Sequence, residues 1–167
     1  MNDTAPPHMR TAAPRRPEGG GVGDEPVIGE LSTFLGYALR RAQLAVFEDF
    51  RRSVGRMGLR PAQFSVLVVI DASPGLKQTE VATALGIQRA NFVAMVSELE
   101  RLGWIERRPL DRRSLALHLT PSGEAKLAQA LEAQRAMEAR YARILGPDGR
   151  EKLLALLDAV QRAPEDA

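Results

Sequence analysis

The sequence predicts a mainly α-helical chain that carries one small β-hairpin. Three observations predict it. Apolar side chains recur at helical spacing over residues 30–102 and again over 121–163. The two-residue period of a strand appears only in Trp104-Ile-Glu-Arg-Arg108 and Leu115-Ala-Leu-His-Leu119. Gly and Pro punctuate the pattern where elements should end, at Gly75, Gly86, Gly103 and Gly146-Pro147.

The elements follow in order. Residues 1–26 hold several Pro and Gly, few apolar side chains and no period, and read as a disordered tail. Residues 27–167 read as one domain. From Glu30 a helix is expected, with Leu31, Phe34, Leu35, Tyr37, Leu39, Val46, Phe47 and Phe50 on more than one face. A helix apolar over so much of its girth is buried on several sides, deep in the domain or against a partner subunit. Arg51, Arg52, Arg56 and Arg60 then follow with no acid among them. Pro61 suits the first position of a second helix, because its missing N–H costs nothing there. Residues 77–85 predict a short helix with Val81, Ala82 and Leu85 inward. Residues 88–102 predict a longer one with Phe92, Met95, Val96 and Leu99 inward. The two strands enclose Pro109-Leu-Asp-Arg-Arg113, a hairpin with a basic tip. Thr120-Pro121 marks a strong helix start. That helix should run to about Leu145 and give way, after Gly146-Pro-Asp-Gly149, to a last helix with Leu153, Leu154, Leu157 and Val160.

Composition narrows the chemistry. The chain has 167 residues, enough for a sizeable core, and a net charge of only +2. Cysteine is absent, which removes disulfides, thiolate nucleophiles and cysteine-held metals. His8 and His118 are the only histidines and lie far apart, so a His-rich metal site is not expected. No run of about 18 apolar residues suggests a membrane span. No apolar signal core appears at the start, so export is not expected and the cytoplasm is. Twenty of the 23 basic residues are Arg, whose planar fork suits phosphates and base edges. A GC-rich genome would produce the same bias, so nucleic-acid binding has to be argued from a motif.

The order of elements supplies one. Two helices joined by a Gly turn and followed by a two-stranded hairpin make a winged helix-turn-helix. In that arrangement the second helix enters the major groove and presents its first turns to base edges. Gln88, Arg89 and Asn91 occupy those turns. Arg89 can reach guanine or phosphate, and Asn91 can pair with adenine. Arg112 and Arg113 at the hairpin tip can enter a narrow minor groove.

These segments resemble the MarR family of bacterial transcriptional regulators. The resemblance lies in Leu59-Arg-Pro-Ala-Gln-Phe64, Gln78-Thr-Glu-Val-Ala82 with Leu85-Gly-Ile87, and Leu99-Glu-Arg-Leu-Gly103. It continues through Asp111-Arg-Arg113 and Leu117-His-Leu-Thr-Pro-Ser-Gly123. It implies a winged helix-turn-helix over residues 57–120 and dimerisation helices over 30–56 and 121–163. It also implies a homodimer that binds a pseudo-palindromic double-stranded DNA operator and releases it when a small molecule binds. Asp111 and Arg113 would brace the wing, and Arg112 would reach DNA. The chain departs from the family pattern at Lys77, where a Ser or Thr is usual. It departs again in Gln88-Arg-Ala-Asn91 and at Ala94, where base contacts cannot be carried over.

The absence of cysteine argues against the peroxide-sensing branch of the family, and the scarcity of histidine against the zinc-sensing branch. A small organic effector remains, with no resident cofactor. The resemblance places it between the dimer helices and the winged domain. Tyr37, Phe47, Phe64 and Leu67 would form an apolar or aromatic lining, and Arg40 or Arg41 would meet an anion. A salt bridge from these arginines to Glu48, Asp49 or the partner chain, or plain exposure at the helix edge, is the competing assignment. Phe34–Arg41 and Ala45–Phe50 resemble the subgroup answering to aromatic acids and aromatic acyl-coenzyme A thioesters. For a thioester, the Arg51, Arg52, Arg56 and Arg60 stretch could clamp the phosphates or could meet DNA instead. A regulator answering to a different small molecule is the nearest alternative. An enzyme acting on aromatic thioesters and a winged helix used only for protein contacts are the others. No nucleophile–base pair or phosphate-cradling Gly loop supports an enzyme.

Overall fold

The computed structural model describes residues 29–110 and 114–162. The expected tail and Asp111, Arg112 and Arg113 lie outside the described residues. The elements run α1 (Leu35–Arg52), α2 (Pro61–Ala72), α3 (Gln78–Ala84), α4 (Arg89–Arg101), β1 (Ile105–Pro109), β2 (Leu115–Leu119), α5 (Pro121–Leu145) and α6 (Gly149–Gln161). Short 3-10 turns at Gly29–Thr33 and Val54–Met57 flank α1. The fold is mainly helical with a two-stranded antiparallel wing.

The entry to α1 differs from the sequence expectation. Regular α-helix starts at Leu35, after the 3-10 turn, and Phe34 is extended. The Ser32 and Thr33 hydroxyls donate to the carbonyls of Gly29 and Glu30, 3.0 and 2.8 Å away. Such local bonds favour a tight turn over a continuing helix. Elsewhere boundaries move by a residue or so. Pro61 opens α2 as expected, and the buried Gln63 accepts from the Arg60 backbone N–H at 3.0 Å. Thr120 caps α5 by accepting from Gly123 N–H at 3.0 Å.

The core is one cluster that joins the end of α1, α2, α3, α4, the wing and α5 as far as Met137. Phe50, Leu67, Ile70, Val81, Phe92, Leu99, Ile105, Leu117 and Leu127 are buried in it. The hairpin pairs Ile105 with Leu119 and Arg107 with Leu117. Lys77, at the start of α3, bridges to Ala116 of β2 and so fixes the wing against the helix-turn-helix. The girth of α1 is covered only in part. Phe50 is its one buried residue, while Phe34, Leu35, Leu44 and Phe47 are exposed. In α6 no residue is buried, and Leu156 is 66% exposed. Among the described residues no helix is long and apolar enough to cross a membrane.

Candidate nucleic-acid interface

Helix α4 has two unlike faces because an α-helix turns 100° per residue. Phe92, Val96 and Leu99 are fully buried and seat it in the core. Gln88, Arg89, Ala90, Asn91, Ala94, Ser97 and Arg101 are exposed on the other side. Polar contacts from both neighbours fix its rotation. Arg60, at the start of α2, pairs with Glu98. Arg107 of β1 pairs with Glu100 at 3.0 Å and donates to Ser97 Oγ at 3.2 Å. The carboxylates of α4 are thereby occupied. Arg89 and Arg101 make no ion pair among the described residues, and both face solvent.

The structure therefore brings Gln88, Arg89 and Asn91 together on the first turns of one anchored helix. Beside them, α3, α4 and β2 enclose an open groove of about 750 Å³, with Lys77, Gln78 and Arg89 on its rim. Arg112 and Arg113, assigned to DNA from the sequence, lie outside the described residues. Among the described residues no group of His, Asp and Glu could hold a metal ion.

The effector candidates are gathered less well. Phe64 is half-buried and meets Phe50 edge-on, with ring centroids 5.7 Å apart. Leu67 is 0% exposed and belongs to the core, so in this chain it lines no open space. Tyr37 lies thirteen residues before Phe50 on α1, about 20 Å along the helix. It therefore does not meet Phe64 within one chain. Phe47 is exposed on the same helix, as are Arg40 and Arg41, which make no ion pair among the described residues. Of the competing assignments, the structure shows plain exposure: among the described residues Glu48 pairs with Arg51 and Arg52, and Asp49 with Arg140. The four-arginine stretch is exposed and divided in its contacts. Arg51, Arg52 and Arg60 already hold carboxylates, which leaves Arg56.

A polar network between α1, α5 and α6 had no sequence signal. Arg140 donates to both Asp49 oxygens, at 2.7 and 2.9 Å, and Arg150 pairs with Glu138 at 2.9 Å. Burial and the Asp49 carboxylate hold the Tyr141 hydroxyl above its ordinary pKa. Asp49 and Arg140 are 91 positions apart, and no periodicity links them.

A core-anchored helix-turn-helix with an exposed second helix and a wing defines a winged-helix protein. The sequence signature of the MarR family matches residues 57–114. A putative transcriptional regulatory protein for the hcr operon of Thauera aromatica is 36% identical over 141 residues, covering 83% of this chain and 85% of that protein. The transcriptional repressor CouR bound to a 23-mer DNA duplex superposes with a TM-score of 0.78 at 51% identity, covering 83% of this chain and 100% of CouR. CouR bound to p-coumaroyl-CoA superposes with a TM-score of 0.77 at 48% identity, covering 82% of this chain and 98% of CouR. The chain belongs to the MarR family of transcriptional regulators. Family membership sets aside the enzyme alternative.

Proposed function

We propose that the chain is a repressor that binds a pseudo-palindromic operator as a homodimer and leaves it when an aromatic acyl-coenzyme A thioester binds. One observation carries the DNA reading. The exposed start of α4 presents Gln88, Arg89 and Asn91, its carboxylates are engaged elsewhere, and the wing stands beside it. The likeness to CouR on a DNA duplex supports it. The domain reading follows the same division. Residues 57–120 are the winged helix-turn-helix, and 30–56 and 121–163 the dimerisation helices. A regulator of this kind works where the chromosome is, in the cytoplasm.

The test is binding to an operator selected by the full chain from a randomised duplex library. Arg89→Ala and Asn91→Ala are each expected to cost about 1–3 kcal/mol and to relax specificity, as loss of a base contact does. Arg112→Ala is expected to lower the slope of log affinity against log salt by about one. Binding without salt dependence, or indifferent to all three changes, contradicts the assignment.

The dimer reading is supported by apolar side chains left in water at both ends of the chain. Phe34 and Leu35 of the α1 region, Ile144 of α5, and Leu153, Leu154 and Leu156 of α6 are all exposed. Sedimentation at micromolar concentration is expected to show a dimer, with more than about 2,000 Å² buried in total. A stable folded monomer would overturn it.

The thioester reading is supported by the likeness to CouR bound to p-coumaroyl-CoA. In this proposal Tyr37, Phe47 and Phe64 meet the aromatic acyl part. Because Tyr37 and Phe64 are apart within one chain, the site is completed across the dimer. Arg40, Arg41 and Arg56 meet the phosphates, since Arg51, Arg52 and Arg60 are already engaged with carboxylates.

A further inference from the structure

We propose that Val93 reads the 5-methyl group of a thymine in the operator, and so specifies a T·A pair next to the positions met by Arg89 and Asn91. The inference rests on the reading that α4 enters the major groove.

Val93 is 44% exposed, on a helix whose Phe92, Val96 and Leu99 are fully buried. It stands one 100° step from Phe92, at the shoulder of the buried face. From there it lines the open groove between α3, α4 and β2. The apolar part of that groove is Ala82, Ile87, Phe92, Val93 and Leu115, of which Val93 and Leu115, 44% and 46% exposed, are the most open to solvent. Lys77, Gln78 and Arg89 also line it, and among the described residues no carboxylate does. Neither Lys77 nor Arg89 makes an ion pair among the described residues.

The occupant of this groove must therefore be anionic at its edges and apolar at one point. An apolar peptide laid over it would bury two cations without partners, which is costly. The major groove of DNA supplies both features. Phosphates flank it, and of the four bases only thymine carries a methyl group there. An apolar side chain can discriminate that methyl from hydrogen by contact alone.

The test uses the selected duplex and the full chain. Each thymine is replaced in turn by deoxyuridine, which removes the methyl and keeps the hydrogen-bonding edge. At one thymine of a half-site the replacement is expected to weaken binding about fourfold, the worth of one buried methyl group. Val93→Ala is expected to bind the thymine and uracil duplexes alike, at the affinity the native chain shows for uracil. Alanine favours the helix and the site is half-exposed, so an unchanged melting temperature shows that the fold is kept. The proposal is overturned if no thymine is sensitive. It is also overturned if Val93→Ala keeps the native preference, which would put the methyl against another side chain. Occupation of the groove by a free aromatic acid anion in place of DNA, seen as perturbation of the Val93 methyl resonances by the acid and not by the duplex, would overturn it too. Failure of the DNA reading itself is distinguishable, because salt-sensitive binding would be missing before any uracil is introduced.

Discussion

Gly123→Ala is expected to destabilise the chain by at least about 3 kcal/mol, beyond the usual range for a single added methyl. Gly123 is buried in the first turn of α5. A Cβ built there would stand 1.9 Å from the Trp104 carbonyl oxygen and 2.8 Å from its carbon. That carbonyl is backbone and cannot swing aside. It already accepts from Thr120 N–H at 3.1 Å, and the Thr120 hydroxyl reaches Gly103 O at 2.5 Å. The first turn of α5 is thus fastened to the junction of α4 and β1. Relief of the clash means parting α5 from the winged domain. Helix propensity alone predicts the opposite sign, since Ala is favoured over Gly by about 1 kcal/mol in a helix interior. Urea unfolding decides between them: a large fall in midpoint supports the close approach, and an unchanged or raised midpoint refutes it.

Leu67→Ala is expected to cost about 2–5 kcal/mol, as deletion of a buried leucine side chain does. Leu67 is 0% exposed, among α2 and the surrounding core. Its loss leaves a cavity whose cost depends on how far the neighbours collapse. The midpoint of urea unfolding should fall with little change in slope, the signature of altered stability at constant exposed surface. At temperatures where the variant stays folded, its effector response should match the native chain. A stability change under about 0.5 kcal/mol together with a lost effector response would return Leu67 to the ligand site.

Leu67 marks a limit of reading function from sequence. An apolar residue at helical spacing looks the same whether it packs a core or lines a pocket, and only the fold separates the two. By contrast, Phe92, Val96 and Leu99 were readable as the inner face of α4, and the same 3.6-residue period left Gln88, Arg89 and Asn91 outside. Local chemistry placed Pro61 at the start of α2 and Thr120 at the cap of α5. The hairpin was legible because Ile105, Arg107, Leu117 and Leu119 obey a period of two. The Asp49–Arg140 pair was invisible, since it depends on how α1 lies on α5. The exposure of apolar α1 side chains was half legible. The apolar girth of α1 predicted burial on several sides, but the alternative of a deep position within the chain fell only when Phe34, Leu35 and Phe47 proved exposed.

In the proposed function the Arg60–Glu98 pair links effector to operator. It joins the start of α2, near Phe64, to the recognition helix. A ligand shifts the dimer only by its differential affinity for the DNA-bound and released shapes. In the proposed homodimer two recognition helices meet half-sites about one helical turn apart, near 34 Å, so a small change in their spacing suffices.

The most direct test of the whole account is a titration of operator-bound protein with p-coumaroyl-CoA, followed by fluorescence anisotropy of the labelled duplex. Free p-coumaric acid and free coenzyme A serve as controls. The expected result is release by the thioester alone, with operator affinity lowered about 5- to 150-fold, the range of a 1–3 kcal/mol coupling. By linkage, the operator should weaken thioester binding by the same factor. An operator affinity unchanged at saturating thioester would contradict the account.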